Sequence, residues 1–105
     1  MPLLEKKCIP CEGGASPLKQ DEVQKLLKEI PSWEIKSGRV YKQFKFKNFN
    51  ESIAFVNKVA EIAENESHHP DITINYNKVG IELYTHSIKG LSENDFIVAA
   101  KIDNI

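Results

Sequence analysis

The chain has only two cysteines, one tryptophan and one methionine in 105 residues, and no excess of either charge: 14 Lys and Arg stand against 15 Asp and Glu, formally -1. Two cysteines do not make a disulfide framework, and the simplest compartment for them is a reducing cytosol. The balanced charge excludes a strongly basic nucleic-acid footprint and a polybasic membrane patch. No apolar run approaches the roughly 20 residues of a spanning helix. Met1 to Lys7 lacks the apolar core of a secretory signal. There are no internal repeats and no low-complexity tract. With 41% hydrophobic and 28% charged residues, the composition is that of one ordinary globular domain rather than a disordered, collagen-like or coiled-coil chain.

Residues 1–15 read as a flexible N-terminal extension. Cys8-Ile9-Pro10-Cys11 is followed by Gly13-Gly14, with no core-forming stripe, and its removal is expected to leave the fold intact. The Cys-x-x-Cys pair lies outside any βαβ unit, which argues against a redox motif, and as half a zinc site it lacks two ligands.

The domain is expected over residues 16–105. Ser16-Pro17 has the form of a helix cap with proline at the first position. Val23, Leu26, Leu27 and Ile30 then mark one helical face that ends at Pro31. Trp33 to Lys36 reads as a strand, Ser37-Gly38 as a turn, and Val40 to Phe46 as a second strand. Lys42 breaks the inward series Val40, Phe44, Phe46, as at a sheet edge or a polar patch. Asn48 and Glu51 form a capping box before the longest helix, which runs to about Asn65. Its main stripe is Phe49, Ile53, Val56, Ala60 and Ala63, widened by Phe55, Val59 and Ile62. A second hairpin follows, with Ile72, Ile74 and Tyr76 alternating along its first strand and Val79, Ile81, Leu83 and Thr85 along its second, the apolar set on one face. Ser92 caps a last helix bearing Phe96, Ala99, Ala100 and Ile102. The order α-β-β-α-β-β-α implies an α+β fold: a four-stranded antiparallel sheet with three helices on one face. Lys42, Lys45 and Lys47 alternate with Phe44, Phe46 and Phe49; in a near-neutral chain this reads as inner Phe and outer Lys rather than a nucleic-acid surface.

The chemistry is concentrated in three histidines, His68, His69 and His86, the complete set in the chain. If the second hairpin turns between Asn77 and Lys78, Ile72 faces Leu83, Ile74 faces Ile81, and His69 faces His86. Pro70 holds His69 extended, and Glu64 lies one helical turn before His68. Imidazole serves as acid or base near neutral pH. From residue pattern alone a solvated His-His loop, a three-histidine zinc site and an acid–base site all remain open.

The spacing carries a resemblance. Glu64, three positions, His68-His69-Pro70, five positions, Tyr76, nine positions, His86, and Asp95 after eight more is similar to the signature of the pterin-4a-carbinolamine dehydratases. Tyr76 to Val79 and Gly90 to Asp95 also resemble that family, across about residues 16–105, and Cys-x-Pro-Cys-x-Gly-Gly extensions resemble those of some members. The resemblance implies a hydro-lyase that removes water from 4a-hydroxytetrahydropterin, giving quinonoid dihydropterin in the pathway of an aromatic amino acid hydroxylase. It implies His68 and His86 as general acids, His69 as pterin ligand and base, and Glu64, Pro70 and Asp95 as orienting or substrate-binding residues. It implies no metal and no organic cofactor, and a homotetramer in the cytoplasm without nucleic-acid or membrane contact. A non-catalytic role as a binding or dimerisation cofactor is the alternative. Ile72 departs from the animal pattern, which has Trp at that place.

Overall fold

The computed structural model describes residues 3–8 and 16–105. Its elements are α1 (Gln20–Leu27), β1 (Glu34–Lys36), β2 (Arg39–Lys45), α2 (Phe49–Glu66), β3 (Asp71–Asn75), β4 (Lys78–Leu83) and α3 (Glu93–Asp103), with short 3-10 turns at Leu3–Glu5 and His86–Ile88. The α-β-β-α-β-β-α order and the antiparallel four-stranded sheet agree with the pattern read from sequence. The spatial order is β1-β2-β4-β3.

The sheet face is set by the period of two. Val40 pairs with Leu83, Lys42 with Ile81 and Phe44 with Val79, which turns these residues toward the helices. Val40, Val79, Ile81 and Leu83 are fully buried there, with Val59 of α2 and Phe96, Ile97 and Val98 of α3. The opposite face is polar, and Arg39 links Asp71 of β3 and Glu82 of β4 across it. The β1–β2 turn has positive φ at both Ser37 (52°) and Gly38 (75°), the requirement of a type I′ hairpin.

Lys42 occupies a central strand, not an edge. It extends along the core face, 4.5 Å from the Phe44 ring centroid, and its ammonium donates to Ser32 Oγ and Asp103 Oδ1. The Trp33 indole donates to the other Asp103 oxygen. Lys42 is therefore not an outer lysine; the polar patch explains the broken alternation.

Several local expectations are corrected. Helix α1 begins at Gln20 after Lys19, whose N–H donates to Glu22, rather than at Ser16-Pro17. The buried stripe of α2 is Ser52, Phe55, Val59 and Ala63; Phe49 is 48% exposed and Ala60 faces outward. Aromatic packing decides this rotation: Phe55 lies 4.6 Å from Phe44 and 4.9 Å from Phe46 between ring centroids. The second hairpin turns at Tyr76-Asn77, one residue earlier than expected. Ile72 pairs with Ile81 and Ile74 with Val79. Asn77 is held by the residue that follows β2, since Phe46 N–H donates to its carbonyl and its side-chain amide donates to Phe46 O. The slip moves each partner by two residues, so inward faces are preserved. Tyr76 takes φ 53° at the tip and is 64% exposed, outside the core.

The stretch read as an appendage also has structure. Leu3 is 2% exposed within the main core, its N–H donates to Glu29 Oε1, and Lys6 pairs with Glu93. Residues 9–15, including Cys11, lie outside the described residues. Because Leu3 is buried, Leu3→Ala is expected to lower unfolding stability by about 2–5 kcal/mol, the range for core leucine truncation. Denaturant unfolding measures this; an unchanged midpoint would mean the segment is not docked.

Candidate active site

Helix α2 ends in a way that brings two adjacent histidines into play. Ser67 adopts the left-handed conformation at φ 53°. His68 N–H returns to Ala63 O and Ser67 N–H to Glu64 O, the paired closing bonds of a Schellman turn. The chain therefore bends immediately before His68, and His69 is then held extended by Pro70.

His68 is built in. Its Nε2 lies 2.7 Å from Asp95 Oδ1, and Asp95 is fully buried. The other Asp95 oxygen accepts from Thr85 Oγ1 at 2.8 Å and from Ser92 N–H at 2.9 Å. A carboxylate only accepts, so His68 carries its hydrogen on Nε2, which leaves Nδ1 the acceptor nitrogen of the neutral ring. His69 Nε2 similarly meets Glu64 Oε2, but this pair is open to solvent, with side chains 59% and 76% exposed. The expected Glu64–His68 pairing is thus corrected: Glu64 serves His69, because the left-handed residue rotates His68 toward α3, where Asp95 accepts it.

His86 does not face His69 across the ladder. Strand β4 ends at Leu83, Thr85 bridges to Gly90, and His86 begins the 3-10 turn. Its ring packs edge-on to Tyr84 at 5.0 Å, and the Arg39 guanidinium lies 4.8 Å from the Tyr84 ring centroid. All three histidines nevertheless line one cavity of about 510 Å³, with Cys8, Glu66, Ser67, Tyr84, Thr85 and Asn94 among its walls. Pro70 and Tyr76 are not among the described lining residues, and Ile72 packs against the core.

Sequence reasoning missed Thr85, Glu66 and Cys8. Thr85 had a signal: it is the one hydroxyl in the alternating series Val79, Ile81, Leu83, Thr85 that runs on past β4 toward the histidines. Glu66 and Cys8 had none, because they meet across 58 residues. Burial raises the Cys8 thiol from an ordinary 9.0 to about 12, with Glu66 adding to the effect. Burial also acts to raise the Glu66 carboxyl, but the Cys8 N–H and the Lys101 ammonium outweigh it and hold it below its usual value.

The arrangement has the groups that acid–base chemistry requires: imidazoles around a cavity, two of them paired with carboxylates. The profile of the pterin 4 alpha carbinolamine dehydratase family matches residues 16–105, and the chain belongs to that family. It is 51% identical to a provisionally named pterin-4-alpha-carbinolamine dehydratase of Rickettsia canadensis, covering 97% of this chain and 95% of the relative. It is 50% identical to another so named in Nitrosospira multiformis, covering 98% and 91%. Among solved structures it resembles a transcriptional coactivator/pterin dehydratase from Brucella melitensis (TM-score 0.79, 33% identity, 85% of this chain and 97% of that one). It also resembles a pterin dehydratase-like RuBisCO assembly factor of the alpha-carboxysome (TM-score 0.56, 25% identity, 69% and 83%).

A thiol that ionises later in the folded chain than in the unfolded one keeps more protons in the folded state between pH 9.0 and about 12. The Cys8 contribution to stability is therefore fully present below pH 9.0 and is lost as pH rises toward about 12. Alkaline unfolding curves of wild type and Cys8→Ala should converge in that window; parallel curves would contradict the burial of this thiol.

Proposed function

We propose that the protein is a hydro-lyase that removes water from 4a-hydroxytetrahydropterin to give quinonoid dihydropterin. The observation that carries this reading is the single cavity lined by His68, His69 and His86, two of them held by carboxylates, in a chain of the dehydratase family. The C4a–O bond breaks as the hydroxyl takes a proton and leaves as water. A proton is removed from the ring, and its electron pair forms the new double bond. The elimination is redox-neutral, so the reading needs no redox cofactor, and the imidazoles supply the proton transfers.

His68 and His86 act as acids at the departing hydroxyl, and His69 binds the pterin and takes the ring proton. Asp95 and Glu64 are positioning residues for His68 and His69. Pro70 acts through the backbone of His69. The enzyme serves tetrahydropterin recycling beside an aromatic amino acid hydroxylase in the cytoplasm.

A binding role is the second reading. It is favoured by the two solved neighbours, one a transcriptional coactivator/pterin dehydratase and the other an assembly factor, and by the exposed Phe49, Ile74 and Tyr76. The Asp95–His68 pair favours catalysis, since it presets one imidazole at the cavity that the other two histidines also line.

Dehydration of 4a-hydroxytetrahydropterin by wild type and by His68→Ala, His69→Ala and His86→Ala tests the assignment. Each variant is expected to stay folded and to lose about 10²–10⁴-fold in rate, the usual contribution of a general acid or base, with a milder loss where His68 and His86 substitute for one another. Three folded variants with wild-type turnover would refute the reading. The protein is also expected to assemble as a homotetramer, using the uncovered edge of β3 and the outward apolar residues. Sedimentation at micromolar concentration should give a mass well above the 11.9 kDa of one chain; a monomer mass would count against it.

A further inference from the structure

The cavity has a wall for which proton transfer has no use. Cys8 lies in it beside Glu66 and Asn94. Its N–H donates to Glu66 Oε1 at 2.8 Å, and its sulfhydryl lies 3.6 Å from Asn94 O. The other Glu66 oxygen accepts the Lys101 ammonium, in a pair whose side chains are only 8% and 19% exposed. The segment is held again at its start, where Leu3 is buried and its N–H meets Glu29, and in its middle, where Lys6 meets Glu93.

These anchors fall at informative places. Glu66 is the last residue of α2, two before His68, and Glu93 is the first of α3, two before Asp95. The segment is thus fastened to the two helix ends that meet in the His68–Asp95 bond. A largely buried ion pair is sensitive to loss of either partner, since the remaining charge is uncompensated. Cys8 is neutral at ordinary pH, so it supplies surface to the cavity rather than a nucleophile or a thiolate ligand.

We propose that Leu3–Cys8 is a wall of the substrate cavity, and that the Glu66–Lys101 pair is its latch, holding the wall against the end of α2 and so setting the affinity for the pterin. The proposal rests on the dehydratase reading. Glu66 and Lys101 are positioning residues: releasing the latch weakens binding while leaving the histidine protons in place.

The test uses the full chain carrying Cys11→Ser, in which Cys8 is the sole thiol, since the chain has two cysteines. Cys8 alkylation by iodoacetamide, run at alkaline pH where this raised thiol supplies a small thiolate fraction, is followed with and without saturating 7,8-dihydrobiopterin, beside the kinetics of dehydration. Bound pterin is expected to slow alkylation by about tenfold or more, and Glu66→Ala to speed it in the absence of pterin. Glu66→Ala should raise KM by about tenfold with little change in kcat, the pattern of lost uniform binding, and Glu66→Gln should recover part of the loss because it keeps an acceptor for Cys8 N–H. Turnover by the parent chain with no protection of Cys8 would overturn the wall and leave the dehydratase reading standing. A fall in kcat at unchanged KM in Glu66→Ala would overturn the latch. If Glu66→Ala fails to fold, protection in the chain with Glu66 intact decides the proposal. A parent chain with neither turnover nor protection would overturn both readings.

Discussion

The carboxylate of Asp95 is the point on which the site depends. It is fully buried, and it accepts from His68 at one oxygen and from Thr85 and Ser92 at the other. These partners come from three places: the exit of α2, the end of the β4 strand path, and the start of α3. A buried charge is tolerated only where its hydrogen-bonding capacity is met, so the same bonds that satisfy Asp95 fix how these three parts meet. The N-terminal cap of α3 and the orientation of His68 are one interaction seen from two sides.

The two carboxylate–histidine pairs are unequal. His68 is 12% exposed at its side chain and its partner is inaccessible, whereas His69 and Glu64 stand largely in water. Exposed pairs contribute little to stability and hold geometry loosely. On the proposed reading this suits a division of labour. His68 is preset, while His69 is guided chiefly by the extended backbone before Pro70 and settles on its ligand. Tyr84, flanked by His86 and the Arg39 guanidinium, gives the third imidazole an aromatic backing.

Element order and sheet-face assignment were legible because both rest on short-range periodicity. Val40, Val79, Ile81 and Leu83 alternate cleanly, and Asn48 and Ser92 announce their helices. The register of β3 against β4 was not, because it turns on Tyr76 adopting a positive φ and on Asn77 being claimed by Phe46, just past the end of β2. The error was two residues in each pairing, which preserved parity, so the faces came out right although His69 does not oppose His86. The histidine cluster was legible from spacing, but its partners were exchanged: the left-handed Ser67 decides that Asp95, not Glu64, holds His68. The docking of Leu3 and Cys8 left no local trace at all, since a single buried leucine and contacts across the length of the chain make no periodic pattern.

The central claim is that Asp95 fixes His68 with its hydrogen on Nε2, leaving Nδ1 as the nitrogen that exchanges a proton. Nitrogen-15 correlation spectra of the histidine rings, with His68 assigned by substitution, test this most directly. The account predicts that neutral His68 is protonated at Nε2 alone, and that Asp95→Asn disturbs this preference while the His69 tautomer is retained. A His68 ring protonated at Nδ1, or one indifferent to Asp95→Asn, would contradict it.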